Sequence, residues 1–559
     1  MVKKLLQLFH QELGGLHRAA IVLAASSSVS AILGFVRDRL LAGTFGAGQS
    51  LDIYYTAFKI PDLLYAVSLS LVSVTVLIPF FLEKISVSPE KGRDFLNNIF
   101  SAFLLAMLFL IAVVFFAIPY LSDVIAPGFS DEARQQLIVL TRVLLLSPFL
   151  LGLANLLSSV VQSFNRFFVY ALSAVFYNVG IIFGILFFLP KIGLLGITLG
   201  VILGAVMQVC VQMPSIVKLG FIPKFKLRMN FLEIWQTIKL SLPRTLGLSL
   251  NQIVFIFITA TASFLASGSI AVFNLSFNLQ SVPLTVVGVS YSVAAFPTLA
   301  RLFVANQKEK FLNQTIIAMR QIIFWSIPVS ILLIVLRAQI VRVIFGYGQF
   351  DWRDTRLTAA SLALFAFSIT SQALVVLFVR AFYAAGKTMK PVIVNVISSG
   401  FIVLGIFISM KLINVFSSFK NFLETGLRVK DMAGSEMLIL PLIFSLGMIF
   451  NAAFLVKIFQ KEFGEIWSSV KWTLFQVMAA SILMGVVTYF SLSVLDKIFN
   501  IKTFAGIFFQ GLVSGIFGLG VWYLALCSAK NKELREITAS LKQRFWKTPI
   551  IASEPEELP

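Results

Sequence analysis

The chain has 559 residues, 58% of them hydrophobic and only 13% charged, with a mean hydropathy of +0.93. A water-soluble fold runs at about 45–50% apolar and about 25% charged residues and could not hide this much apolar surface. The net charge of +20 would suggest nucleic acid in a soluble protein; here it reads as lysine and arginine marking cytoplasmic loops, with no nucleic-acid partner.

Hydropathy comes in long blocks rather than alternating ten-residue strands, which predicts an all-α polytopic membrane protein. Residues 1–18 form a lead with Lys3, Lys4, His10 and His17 but no short apolar core with a cleavage site, so an uncleaved first helix is expected. A span needs about 20 apolar residues. Fourteen candidates follow, near 19–45, 51–82, 97–121, 135–162, 168–189, 193–217, 236–265, 270–300, 313–344, 357–384, 391–412, 436–458, 470–494 and 503–528. Connectors alternate in charge: Lys84, Lys91 and Arg93, or Lys218, Lys224, Lys226 and Arg228, lie on one side and the Asp123–Glu132 loop on the other. This places both termini in the cytoplasm. The 413–435 connector, with Lys420, Arg428 and Lys430, is expected outside as an interfacial helix.

Landmarks recur 217 to 220 positions apart: Gly48 with Gly268, Gly128 with Gly348, Pro79 with Pro297, Phe164 with Phe382, Asn178 with Asn395. The expected organisation is two pseudo-symmetric six-helix lobes, 19–225 and 226–460, around a central cavity, with two further helices in 461–528 and a basic tail, 529–559. An offset of six spans keeps orientation, so the repeat is parallel, and two such halves can rock for alternating access. Spans five and six carry Gly180 and Gly184, then Gly193, Gly196, Gly200 and Gly204, read as small-residue faces for close helix contact.

A charge at bilayer depth costs about 2.5–3.5 kcal/mol on insertion scales, so embedded charges locate function. The densest group is Arg37, Asp38 and Arg39, then Asp52, Lys59 and Asp62. Asp52, Thr56 and Lys59 share one helical face. Pro61 can bend that helix, and Gly46 and Gly48 break the chain before it; with Gly268 and Pro283 these are the expected hinges. One reading makes the group interfacial pairs snorkelling to water, the other a polar, net-positive cavity wall. Arg244, Arg142, Arg320, Arg337, Arg342 and Arg380 also sit in or near spans. Embedded charge is mostly cationic, which points to an anionic cargo, and arginine suits phosphate. There is no P-loop, zinc-ligand cluster, nucleophile elbow or intramembrane histidine, and Cys210 and Cys527 lie far apart. No cofactor, metal or catalytic residue is expected; a lipid-modifying enzyme is the remaining enzymatic alternative.

The stretch G-F-V-R-D at 34–38, F-G-A-G at 45–48, Asp52 and A-F-K-I-P at 57–61 resembles the start of the MurJ/MviN family, the lipid II flippases of the MOP exporter superfamily. A-P-G-F at 126–129, P-R-T-L-G-L at 243–248, F-L-A-S-G-S at 264–269, G-Y-G-Q-F at 346–350 and R-A-F-Y-A-A-G-K-T-M-K-P at 380–391 agree. The resemblance implies fourteen spans, both termini inside, and a flippase rather than an enzyme. It implies substrate-binding roles for Arg37, Asp52 and Lys59, with Asp52 orienting Arg37, and with Asp38 and Thr56 in support. Where many members carry Arg, this chain has Ala31 and Tyr65; where an Arg and then a Glu are common in span eight, it has Asn278 and Ser281. Arg39 and Arg244 could compensate, and Asn278 is carried as a further binding position. The implied cargo is lipid II, a polyprenyl-diphosphate-linked disaccharide-peptide, moved from the inner to the outer leaflet of a bacterial cytoplasmic membrane. The last two spans resemble the family's lipid-tail groove. The alternatives are another polyprenyl-diphosphate glycan or, at greater distance, a multidrug exporter. The residues leave open whether a proton, Na⁺ or Cl⁻ takes part.

Overall fold

With no water in the bilayer core, a spanning segment must satisfy its own backbone hydrogen bonds, and a helix does so alone. The computed structural model describes residues 16–412, 417–430, 432–500 and 503–545. Among them every regular element is helical. The chain begins with α1 (Leu16–Phe45), α2 (Gln49–Ala57), α3 (Lys59–Val72), α4 (Val74–Val87), α5 (Pro89–Ile125), α6 (Asp131–Leu144), α7 (Leu146–Ser163) and α8 (Phe167–Phe183). A π turn over Gly184–Phe188 leads to α9 (Leu189–Ile192), α10 (Leu194–Leu219), α11 (Phe231–Ala262) and α12 (Ser269–Pro283). A second π turn, Leu284–Val289, precedes α13 (Ser290–Val304), α14 (Lys308–Val335), α15 (Arg337–Phe345), α16 (Trp352–Ala366), α17 (Ile369–Ala384), α18 (Met389–Leu412) and α19 (Ser417–Leu427). The chain continues with α20 (Ile439–Phe463), α21 (Trp467–Leu495), α22 (Phe504–Ser528) and α23 (Lys532–Phe545).

Among the described residues twelve helical runs are long and apolar enough to cross a membrane, and the α16–α17 pair, bent by 45°, makes a thirteenth. The remaining expected span, 19–45, falls on the 30-residue α1. Breaks inside spans have local causes. Pro61 cannot donate to the carbonyl of Ala57, and α2 stops there. Ser88 and Ser130 cap α5 and α6 through their hydroxyls, and Gly220 ends α10 in the left-handed region. Pro283, one of the expected hinges, is the last residue of α12, just before the second π turn.

Packing divides the chain into two units, each assembled from separate stretches. The first comprises residues 1–282, 340–368 and 387–451; the second 283–339, 369–386 and 452–559. In the first, Phe255, Phe273, Phe277, Phe365 and Phe444 stack edge to face around one core. The connector helix α19 also belongs to this unit. Lys420 pairs with Glu436 at 2.9 Å, Ser435 donates to buried Glu424 at 2.5 Å, and Arg353 donates to the Ala433 carbonyl at 2.8 Å. Val429 is fully buried. The connector is thus folded onto α16; residues 413–416 and 431 lie outside the described residues.

In the second unit Phe311, Phe378, Phe382, Phe459 and Phe463 form an aromatic core. The start of the tail is built into this unit. Glu533, 2% exposed, accepts from Arg320 on α14 (Nε at 2.5 Å) and from Thr473 on α21 at 3.0 Å. Gln476 donates to the Ala529 carbonyl at 2.8 Å, and Asn531 donates to Gln476 at 2.9 Å. Residues 1–15 and 546–559, which hold most of the expected lead and the end of the tail, lie outside the described residues.

Spans five and six meet through their glycines. A Cβ on Gly180 would sit 2.3 Å from the Gly204 Cα, and one on Gly184 would sit 2.5 Å from the Gly200 Cα. Without a hydrophobic drive between helices in lipid, such backbone contact supplies the association. Gly204→Leu is expected to lower stability by about 1–3 kcal/mol through overpacking. A thermal melt in detergent checks this, with Gly520→Ala, whose added carbon meets nothing within 4 Å, as the unshifted control.

Candidate functional site

The first unit encloses a cavity of about 220 Å³. Its polar lining is Arg37 from α1, Tyr54 and Tyr55 from α2, Lys59 and Asp62 from α3, Tyr177 from α8, and Asn274 and Asn278 from α12. Leu41, Phe58 and Ile181 complete it. The two asparagines stand four positions apart and so share one face of α12.

Arg37 is held from two sides. Its Nε and Nη2 each reach Asp38 Oδ1 at 2.8 Å, and Nη1 donates to Asn178 Oδ1 at 3.3 Å. The other Asp38 oxygen accepts from Asn278 Nδ2 at 3.0 Å. Asn178 donates in turn to Ser30 Oγ at 3.1 Å. Lys59 has a different setting. Its Nζ donates to Asn274 Oδ1 at 3.3 Å and lies 5.6 Å from the Phe255 ring centroid. Among the described residues no carboxylate comes within ion-pair distance of it, although it is only 7% exposed. Tyr54 packs edge-on against Tyr55 and Phe58, which gives one wall flat amphipathic surfaces.

Asp52 is 3% exposed. Oδ2 accepts the backbone N–H of Gly268 and Oδ1 that of Ala271, both at 2.7 Å. It caps the start of α12, where the helix dipole favours an anion. The expectation that Asp52 orients Arg37 is thereby corrected: both its oxygens are spent on backbone donors. Thr56 is likewise turned inward on its own helix, its hydroxyl donating to the Asp52 carbonyl at 2.7 Å. A second carboxylate mirrors this cap. Asp354 Oδ2 accepts from the Ala47 N–H at 2.9 Å, in the turn that holds Gly46 and Gly48.

These turns interlock at backbone level. Gly268 has φ +91°, and a Cβ there would lie 1.9 Å from the Ala47 carbonyl oxygen. Gly348 has φ +59°, and its Cβ would lie 2.1 Å from the Gly43 oxygen. The Gln349 N–H donates to Gly43 O at 2.7 Å, and the Gly128 N–H to Ser263 Oγ at 3.0 Å. Only glycine fits the two left-handed positions. Gly48, Gly128, Gly268 and Gly348, the glycine landmarks of the repeat, thus lie in or beside the turns that close this end of the unit.

Two expected compensating arginines stay out of the cavity lining. Arg39 donates to the carbonyls of Val343 at 2.6 Å and Ile344 at 3.2 Å and lies over the Tyr347 ring. Two residues on from Arg37, it sits roughly 200° around the helix. Arg244 is exposed and reaches Ser73 Oγ at 3.5 Å. Tyr65 accepts from Asn155 at 2.8 Å. Tyr54, Tyr55, Tyr177 and Asn274 were not singled out in the sequence; the four-residue step from Asn274 to Asn278 inside an apolar span was the available signal.

A family model described as "Lipid II flippase MurJ" matches residues 41–509. A "Probable lipid II flippase MurJ" of Buchnera aphidicola subsp. Acyrthosiphon pisum is 32% identical over 372 residues, covering 65% of this chain and 72% of that protein. In fold the chain is similar to a lipid II flippase MurJ solved in an inward closed conformation, with TM-score 0.71, 21% identity, and 94% of this chain and all of that one covered. It is also similar to an inward-facing multidrug resistance MATE family transporter of the MOP superfamily, with TM-score 0.59, 14% identity, and 82% and 98% covered. The apolar spans and this kinship make it a protein of a bacterial inner membrane. With the match covering both carboxylate caps, the cavity lining from Leu41 onward and most of the spans, the chain belongs to the lipid II flippase MurJ family.

Proposed function

We propose that this chain carries lipid II from the inner to the outer leaflet, with the cavity of the first unit holding the diphosphate. The observation that carries this reading is Lys59: a buried cation, facing the cavity, with no carboxylate at ion-pair distance among the described residues. Asp62, one turn on, faces Lys59 only from beyond ion-pair distance, and burial without a bonded counter-ion is costly, so an incoming phosphate oxygen relieves it. Arg37 is a second donor, but an anion must win a share of it from Asp38. Charge-assisted bonds to phosphate are about twice as strong as neutral ones. The tyrosine wall offers flat faces with hydroxyl edges, suited to the sugar that follows the diphosphate.

Alternating access then needs a gate. Asp52 lies in the first expected lobe, 19–225, and Gly268 and Ala271 in the second, 226–460, so its two hydrogen bonds hold lobe to lobe at one end. In the orientation read from the basic loops, with both termini in the cytoplasm, that end faces outward. Outward release requires these bonds to open. The residues Gly46, Gly48, Pro61, Gly268 and Pro283 are the positions where the backbone would turn. The helices of 461–528 would carry the lipid tail; α21 and α22 pack together and leave Trp472, Phe475, Phe490, Phe508 and Phe517 exposed. Membrane potential can drive net charge movement at about 2.3 kcal/mol per charge per 100 mV.

Lys59→Met is expected to remove about 1.5–3 kcal/mol of anion binding, or about 10- to 150-fold in affinity for lipid II, while Lys59→Arg keeps part of it. A binding titration on purified protein measures this, and full affinity in Lys59→Met would remove the site. Arg37→Ala leaves Asp38 buried without its cation and should lower the amount of protein in the membrane. Adding Asp38→Asn should restore the amount but not complementation of a flippase-depleted strain. Asp52→Ala should weaken the α12 cap by about 1–2 kcal/mol. Paired cysteines at Ala47 and Ser267, which line one small cavity beside Gly268, would then cross-link less completely than in the parent; equal cross-linking would separate Asp52 from the gate.

A further inference from the structure

Asp62 lines the cavity, one helical turn after Lys59, and among the described residues no hydrogen bond reaches its carboxylate. The other two acidic groups nearby are fully engaged. Asp38 is bonded through both oxygens to Arg37 and Asn278, and Asp52 through both to backbone N–H groups. With every group ionised, the lining cations Arg37 and Lys59 are balanced by the lining carboxylate Asp62 and by Asp38, which is bonded to Arg37 outside the lining, so the wall and its support carry no net charge. A neutral wall that includes a bare carboxylate repels a diphosphate at short range, where the low dielectric leaves charges poorly screened.

We propose that Asp62 takes up one proton as the diphosphate binds and returns it to water on release, so that lipid and proton move together. This rests on reading the cavity as a diphosphate site. In the step, a hydronium ion gives its proton to the Asp62 carboxylate and leaves water. The resulting carboxylic acid donates an O–H hydrogen bond to a phosphate oxygen, and the wall becomes net positive by one. The titratable groups around Asp62 are Lys59, Tyr54, Tyr55 and Tyr65 on its own span, Arg37 on α1 and Tyr177 on α8; α11, packed against α3, brings Arg244 near Tyr65, and α12 brings only asparagines. Phenols and cations hold their protons through the neutral range in ordinary surroundings, and Asp62 is the one cavity carboxylate without a bonded partner.

The test uses the full chain in detergent with lipid II as probe. Both phosphates of lipid II are esterified, so its charge stays constant between about pH 5.5 and about pH 8.5. Kd should rise up to tenfold per pH unit on the alkaline side, and each lipid bound should draw one proton from weakly buffered solution. Asp62→Asn, held in the neutral form, should give a flat profile and no proton uptake. A flat wild-type profile without uptake overturns the proposal, as does an affinity that follows sodium at fixed pH with no proton taken up. Lys59→Met separates the two readings. If it loses binding at every pH while the wild type shows no proton linkage, the anion site stands and the proton does not. If it binds as well as the parent, the anion site itself fails.

Discussion

A carboxylate sealed away from water must find donors in the protein, and Asp52 finds them in the backbone at the start of α12. Together with the Asp354 cap on Ala47 and the bond from the Gln349 N–H to the Gly43 carbonyl, this cap joins distant parts of the chain within the first unit. Two 2.7 Å bonds place Gly268 where its missing side chain lets the Ala47 carbonyl approach, and Ala47 is itself fixed by Asp354. The result is a closure made of main chain, with side-chain carboxylates as its two clasps. Such a closure is discrete: the glycines fit or they do not, which suits a two-state transporter better than graded side-chain packing would.

The cavity behind it follows from the same accounting. Arg37 and Asp38 satisfy one another, with asparagines from α8 and α12 taking the remaining valences. This rigid set leaves Lys59 and Asp62 as the adaptable members, both on the segment that begins where Pro61 breaks the helix ladder. The position that family likeness would fill with arginine holds Tyr65, bonded to Asn155. In the proposed reading, the cargo's charge therefore meets fewer fixed cations and rests more on Lys59.

Much of this was legible in the sequence. Hydropathy located the spans, because apolar runs of that length have few other uses. The glycines of spans five and six announced a close contact, and Gly180 and Gly184 do meet Gly204 and Gly200. The 217–220 offset marked Gly268 and Gly348 before their close contacts could be known. What escaped was pairing across the chain: Asp52 with Gly268 spans 216 positions and Asp38 with Asn278 spans 240. Periodicity tells which face a residue occupies, not which helix it meets. Arg39 is the opposite case, since its angular distance from Arg37 already placed it on another face of α1.

The bond between Arg320 and Glu533 has a consequence for biosynthesis. The two residues lie 213 positions apart, and Glu533 belongs to α23. At about 5–20 residues per second, a ribosome needs about 10 to 40 s to supply that carboxylate after the arginine has emerged. During this interval the guanidinium waits in a half-built bundle with its counter-charge still unsynthesised. Completion of this ion pair in the second unit is thus timed by translation of α23, and a nascent chain that stops short of Glu533 leaves Arg320 with Thr473 but no counter-charge.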